Sequence, residues 1–405
     1  MNILLINESP IEFDGKDYYA MDSWILFPAR MADSFKKKGH TMTLWTPIRR
    51  IGNGEKPDAR AWKVPLHSLQ IHESVPYNSF VSFYKIAPKH FLSWRKTARD
   101  FAEKSDCVIV RLPSPILPII GRAAQKAGTP LMLFICGDIE GQSDRILGSR
   151  GLRKKLYSLL AKAWVWQEKQ WAKKSRKLFV YSDTLYQRHF DKQSAHKLKL
   201  IRTPHLSLTD FEYRSDTCQG KTIRIVRVCW LIPSKGLETL FAAIALLRQS
   251  GFNVELKLVG KERDARYRTQ LESLAASLGI RPFITFMDWI PFDRIKALYF
   301  DSDIQVISSL AEGTPRVILE GASNGLPLVC TTVGGCSTIL DDQVNALMIP
   351  PGQPEPMAAA IRRIIENPSL RQLLIKNGYE LAKRYCFENL GEEIAEDILA
   401  GVLLH

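Results

Sequence analysis

No apolar stretch in the 405-residue chain approaches the ~20 residues that a membrane-crossing helix needs, so none of it reads as a transmembrane segment. The start, Met1-Asn2-Ile3-Leu4-Leu5-Ile6-Asn7-Glu8, has too short an apolar run and no basic lead for a secretory signal, and reads instead as a first strand. The seven cysteines, at positions 107, 136, 218, 229, 330, 336 and 386, are odd in number, scattered and without the paired spacing of a zinc site. That argues against a disulfide or metal framework and for a reducing compartment. The eight histidines show no ligand spacing either, and low-complexity tracts and short tandem repeats are missing. The expectation is a cytoplasmic protein whose 45% hydrophobic content fills two cores, in domains of roughly 150 to 200 residues each.

Negative charge is scarce in the first half. Residues 1–200 hold 34 Lys and Arg against 18 Asp and Glu, whereas residues 201–405 hold 22 against 24. Seven of the nine tryptophans also fall in the first half, which suggests an anionic partner there: a membrane surface, an acidic acceptor or nucleic acid. Segment 151–177 concentrates the pattern. Leu152, Leu156, Leu159, Leu160, Ala163 and Trp166 recur at helical spacing, and Lys and Arg occupy much of the remainder. A core-packed helix with a charged solvent face fits this as well as a helix that docks on anionic lipid with Trp164 and Trp171 as anchors. In the second case each basic residue near the surface adds ~1 kcal/mol.

Strand and helix signals alternate. In the first half they place strands at 2–7, 41–45, 107–112 and 131–136 and helices at 23–38, 91–104 and 116–127. The pattern restarts after the polar segment 209–220, with strands at 223–228, 254–259, 284–287 and 304–307, further strands from 327 and at 346–349, and helices at 237–248, 266–278, from 356 and from 369. Such alternation argues for two parallel sheets, each covered on both faces.

The most informative stretch is Glu312-Gly313-Thr314-Pro315-Arg316-Val317-Ile318-Leu319-Glu320. It follows the apolar run Ile304-Gln305-Val306-Ile307. Thr314 suits an N-cap and Pro315 the first helical position, so a helix is expected to open at this turn, with its free N–H groups beyond the strand's carboxyl end as a place for a diphosphate. Glu312 before the turn and Glu320 inside the helix can then accept hydrogen bonds from different hydroxyls of one ligand. Lys235, in Pro233-Ser234-Lys235-Gly236, sets a cation beside a glycine ahead of another helix, an arrangement suited to phosphate.

This arrangement resembles the E-x7-E motif of the retaining glycosyltransferases with the GT-B fold, family 4. The resemblance extends to Lys235-Gly236, Leu258-Val259-Gly260, Tyr299 with Asp301-Ser302-Asp303, Asn324-Gly325-Leu326-Pro327, and Thr332-Val333-Gly334-Gly335, most of the C-terminal half. It implies that Lys235 neutralises a diphosphate, Glu312 contacts the donor sugar, the N–H groups from Gly313 through Thr314 and Arg316 to Val317 bind phosphate oxygens, Glu320 holds the ribose, and Gly260 lets the nucleotide lie close. Two positions depart from the family. Cys229-Trp230 stand where a glycine and an arginine are usual, with Arg316 or Arg227 as substitutes for the missing cation. The strand end Leu133-Phe134-Ile135-Cys136-Gly137-Asp138 lacks the usual histidine and offers Asp138 as the candidate catalytic group, and only Gly15 represents the usual glycine pair near the first strand. Arg111 meets either an anionic acceptor or a structural carboxylate.

The resemblance thus implies an α/β chain of the GT-B fold, with two Rossmann-like, doubly wound domains facing an interdomain cleft. Residues 1–212 would bind the acceptor, residues 213–388 the nucleotide sugar, and residues 389–405 would form a helix crossing back to the first domain. The implied activity is that of a metal-independent retaining hexosyltransferase with no cofactor beyond its nucleotide sugar, acting on a glycan or glycolipid acceptor of cell-surface polysaccharide assembly at the inner membrane face. The alternatives are a soluble small-molecule acceptor and a non-catalytic protein whose basic half binds a polyanion. Nucleic acid is disfavoured because no compact nucleic-acid module is recognisable.

Overall fold

The computed structural model describes residues 1–403 except 22, 53–54, 56, 59–60, 76, 78–79, 138–151, 182–184, 188–194, 202–204 and 313–314. Two compact units emerge, Met1–His205 with Phe387–His405, and Leu206–Cys386. The first division falls at 205/206 rather than 212/213 because Leu206 packs with Ile307, Ile318 and Leu328 of the C-terminal unit. The second falls at 386/387 because Phe387 already lies in the core of the N-terminal unit.

The strands of the N-terminal unit are β1 (Asn2–Ile6), β2 (Ile11–Phe13), β3 (Tyr18–Ala20), β4 (Thr41–Arg50), β5 (Trp62–Lys63), β6 (Leu69–Ser74), β7 (Cys107–Leu112), β8 (Leu131–Ile135), β9 (Lys177–Val180) and β10 (Leu198–Leu200). Among the described residues they join in the order β10-β9-β8-β7-β1-β4-β2-β3-β5, with β6 also on β4. Its centre is parallel, β1 lying between β4 and β7. The period of two along β1 sends Ile3 and Leu5 to one face and Leu4 and Ile6 to the other, and both faces are buried.

On the Ile3 face lie α1 (Leu26–Lys37) and the last helix, Phe387–Leu403, whose Ile394, Ala395 and Ile398 are fully buried in the same core. On the Leu4 face lie α2 (Phe80–Lys104), α3 (Leu117–Ala127) and α4 (Leu152–Lys174). Three expectations need correction here. The strand expected at 41–45 runs on to Arg50, where it pairs with β2. The helix expected from 91 begins at Phe80 and contains Pro88; Phe83 stacks on Trp94 with centroids 4.7 Å apart, which ties the early turns to the later ones. The basic helix stops at Lys174, since Lys177 opens β9, and its inward face carries Ala161, Glu168, Trp171 and Ala172 rather than Ala163 and Trp166, which are exposed. Trp171 lies against Gly121, where an added Cβ would come within 2.5 Å of the indole.

The C-terminal unit contains β11 (Ile223–Val228), β12 (Val254–Val259), β13 (Ile284–Met287), β14 (Ile304–Ile307), β15 (Leu328–Thr331) and β16 (Leu347–Ile349), with helices α5 (Leu237–Gln249), α6 (Ala265–Ser277), α7 (Phe292–Phe300), α8 (Val317–Ser323), α9 (Pro354–Glu366) and α10 (Pro368–Arg384); the Phe387–Leu403 helix of the other unit is α11. The strands are parallel throughout, in the order β13-β12-β11-β14-β15-β16. In chain order this is 3-2-1-4-5-6, the doubly wound arrangement in which the reversal between the first and fourth strands opens a crevice at their carboxyl ends. The N-terminal sheet reverses in the same way between β1 and β7.

Candidate active site

At the β11/β14 reversal the chain leaves β11 and makes a 3-10 turn at Pro233–Lys235 before α5. The turn is stitched to the end of β14: Leu310 N donates to Ser234 O at 2.8 Å and Ser308 Oγ donates to Lys235 O at 2.8 Å. Gly236 makes this approach possible. Its φ is +58°, and a Cβ there would sit 2.2 Å from Ser308 O. The consequence is that Lys235 and Glu312, 77 residues apart in sequence, form an ion pair with Nζ 2.6 Å from Oε1. Their side chains are 15% and 10% exposed, so solvent screens the pair less than a surface one.

Two further groups converge on the same carboxylate oxygen. Ser309 Oγ donates to Glu312 Oε1 at 2.8 Å, and Arg227 Nη2 lies 3.9 Å from it while donating to Ser309 Oγ at 2.7 Å. Glu320 sits on α8 and accepts a hydrogen bond at Oε2 from the hydroxyl of the fully buried Tyr299 at 3.0 Å. Burial, and then the Glu320 charge, push the Tyr299 phenol well above its usual range, so it remains a donor. Sequence reasoning did not single out Ser309. Its signal was slight, a Ser-Ser pair between a buried strand and the Glu-Gly-Thr-Pro turn.

The remaining expected residues stand differently. Asp138, Gly313 and Thr314 lie outside the described residues. Helix α8 opens at Val317 with Arg316 as its N-cap, and among the described residues the earliest hydrogen bond of this turn runs from Ile318 N to Pro315 O at 3.2 Å. Arg316 is exposed, and Val317 is partly buried against the core beneath. Gly260 has an internal reason to be glycine, because its φ is +153° and a Cβ would lie 1.7 Å from Cys229 O. Gly15 lies in the N-terminal unit at the tip of the β2–β3 hairpin; its φ of +96° serves a turn in which Asp14 Oδ1 accepts from the N–H groups of Lys16 and Asp17. Trp230, in place of the family's arginine, is 48% exposed and carries the Arg263 guanidinium 5.3 Å from its ring centroid, so a cation does reach this corner.

The reversal in the N-terminal unit has polar groups of its own. Glu8 follows β1 and Ser114 follows β7; Ser114 Oγ donates to Glu8 Oε1. Arg111 Nη1 donates to Asn7 Oδ1 at 2.9 Å and to Ser9 Oγ at 2.7 Å, and its guanidinium lies 4.2 Å from the Trp24 ring centroid. The Glu8 residue is partly exposed as a whole, but its Oε2 is closed off and accepts no hydrogen bond. Burial of the carboxyl outweighs Ser114 and Arg111 and pushes its pKa up to about 8.

Comparison with known proteins agrees with this geometry. Residues 214–381 match the model of the glycosyl transferases group 1 family. The match spans most of the C-terminal unit. The chain is 34% identical over 149 residues to a lipopolysaccharide core biosynthesis glycosyltransferase, LpsE, of Rhizobium meliloti, covering 37% of this chain and 41% of that one. It is 28% identical over 162 residues to the alpha-D-kanosaminyltransferase of Streptomyces kanamyceticus, covering 40% and 41%. The matched stretches therefore span less than half of these relatives. Over 99% of its length the chain superimposes on the Anabaena protein Alr3699/HepE in complex with UDP, at a TM-score of 0.62 and 17% identity. The fold of the chain is GT-B.

Proposed function

We propose that the chain is a retaining glycosyltransferase that takes a sugar from a nucleoside diphosphate sugar held at the β11/β14 reversal and passes it to an acceptor held by the N-terminal unit. The observation that carries the reading is the convergence of Lys235, Arg227 and Ser309 on Glu312, with Glu320 fixed by Tyr299 on the neighbouring helix. A transferred sugar develops positive charge while the leaving diphosphate gains negative charge, and the site offers one group for each. Lys235 neutralises the diphosphate, aided by Arg263, which Trp230 brings to the position of the missing family arginine. Glu312 receives the donor sugar's hydroxyls and Glu320 the ribose hydroxyls. With these cations meeting the leaving group, the reaction as proposed requires no metal. The departing phosphate takes the acceptor's proton on the face it leaves, which retains configuration.

The acceptor side has a setting too. Trp166 is 65% exposed on α4, with Lys162, Lys169, Lys173 and Lys174 also exposed, and Arg122 and Lys126 project from the adjacent α3. No helix among the described residues is long and apolar enough to cross a membrane. The proposal places this basic face on anionic lipid, where a glycolipid or polysaccharide intermediate is presented. Trp171, being buried, takes no part as an anchor. Sedimentation with phosphatidylglycerol vesicles at low salt checks the lipid step, and recovery of all the protein in the supernatant would remove it.

The transferase reading is tested by incubating the protein with UDP-, GDP- and ADP-sugars and a bacterial glycolipid extract, with and without EDTA, and determining the anomeric configuration of the product. Release of one nucleoside diphosphate, insensitive to EDTA, with retained configuration is expected. No release from any donor, or an inverted product, would overturn the reading.

A further inference from the structure

The donor reading leaves one buried charge without a task. Arg227 lies in β11 with a relative exposure of 0%, on a strand whose Ile223 and Ile225 belong to the apolar core. Burying a guanidinium there is unfavourable unless its charge and its donors are matched. Among the described residues only partial matching is found: Nη2 donates to Ser309 Oγ, while Nε and Nη1 have no oxygen acceptor. The nearby Cys229 thiol feels the arginine but is itself pushed up by burial.

The geometry around Ser309 supplies a reason. Arg227, Ser309 and Lys235 all bear on a single atom, Oε1 of Glu312, and none of these contacts uses Oε2. When a diphosphate enters, Lys235 cannot remain the partner of Glu312 and also neutralise phosphate. A carboxylate only 10% exposed would then lose its closest counter-charge. We infer that Arg227 is a positioning residue: acting through Ser309, it holds the Glu312 carboxylate in place while Lys235 turns to the diphosphate, leaving Oε2 for the donor sugar. This rests on the donor-site reading above. It assigns the arginine to the sugar end of the donor, although the strand buries it out of reach of any ligand.

The experiment is calorimetric titration with UDP and with UDP-glucose on wild type, Arg227→Met, Arg227→Lys, Glu312→Gln and the Arg227→Met/Glu312→Gln double variant. Removing one member of a buried charge cluster is destabilising, but Lys235 still pairs with Glu312 in Arg227→Met, so that variant is expected to fold with a lowered melting temperature, recorded alongside the titrations. That variant should bind UDP within about threefold of wild type and UDP-glucose about tenfold more weakly, Arg227→Lys should recover part of the loss, and in the Glu312→Gln background the Met substitution should add nothing further. Equal losses for UDP and UDP-glucose, or full additivity with Glu312→Gln, would show a structural role and overturn the inference. A wild type that binds neither probe would bring down the donor-site reading itself. That result is distinct from a wild type that binds both while Arg227→Met binds them equally well.

Discussion

At the reversal of the N-terminal sheet, Glu8 accepts a hydrogen bond from Ser114 and feels one arginine, Arg111, whose guanidinium is already engaged by Asn7, Ser9 and the Trp24 ring. At the reversal of the C-terminal sheet, Glu312 accepts from Ser309 and meets two cations, Lys235 at 2.6 Å and Arg227 at 3.9 Å. The topological place is the same and so are the residue types, but the outcomes differ. Glu8 is pushed up to about 8 and keeps its proton at neutral pH. Glu312 sits in an ion-paired network whose nearer cation, on the proposed donor reading, exchanges a carboxylate for a phosphate. Burial is the main influence on Glu8, whose one nearby cation is engaged elsewhere, whereas Glu312 meets two cations. One sheet end thus holds a carboxyl that burial keeps protonated, and the other an ion-paired cluster.

The comparison breaks most severely at Gly236. Gly236→Ala places a Cβ 2.2 Å from Ser308 O at a φ of +58°. That substitution should cost about 4 kcal/mol and separate Lys235 from Glu312, read as a lowered urea midpoint together with lost nucleotide binding. Lys235→Met leaves the glycine turn in place and removes the nearer counter-charge of Glu312; nucleotide affinity should fall about a hundredfold, as calorimetry would show, and the melting temperature should fall too, by less than in Gly236→Ala.

The N-terminal side is tested through pH. The folded-state pKa of Glu8 lies above its unfolded value near 4.5, so its contribution to stability is complete below pH 4.5 and is lost as pH rises towards 8. Glu8→Gln should abolish that slope and leave the variant about 2 kcal/mol more stable than wild type at pH 8, by denaturant titration at several pH values. Parallel curves for the two proteins would mean that Glu8 ionises freely. The smallest effect is expected from Tyr299→Phe, which removes one hydrogen bond to Glu320 and should weaken nucleotide binding by about 1 kcal/mol.

The two units were not equally legible in the sequence. In the C-terminal unit the strand pattern reported the fold and the local turn chemistry singled out Lys235, Glu312 and Glu320, but not the ion pair of Lys235 with Glu312, which is made across 77 residues. The helix boundary at Val317 was missed, since Thr314-Pro315 has the chemistry of a helix start. Arg227 was named only, with Arg316, as a substitute for the missing second cation on the diphosphate. Nothing in Ile-Arg-Ile-Val-Arg-Val tells which arginine points inward, and it is Arg224 that is exposed. In the N-terminal unit helix α2 was expected only from 91, and the stacking of Phe83 on Trp94 that ties its first turns to the rest across Pro88 is a tertiary effect. The face of α4 was misassigned for a similar reason: Trp171, not Trp166, finds the gap above Gly121. Glu8 gave no signal beyond following a strand, because its state is set by burial in the folded chain, opposed by Ser114 and Arg111, which are distant in sequence.

The central claim is that the β11/β14 reversal binds a nucleoside diphosphate with Glu320 on its ribose. The most direct test is thermal stabilisation by UDP, GDP and ADP, measured in parallel on wild type and Glu320→Ala. One nucleotide should raise the melting temperature of wild type and leave that of Glu320→Ala unchanged. No shift with any of the three, or an equal shift in both proteins, would contradict the placement of the donor.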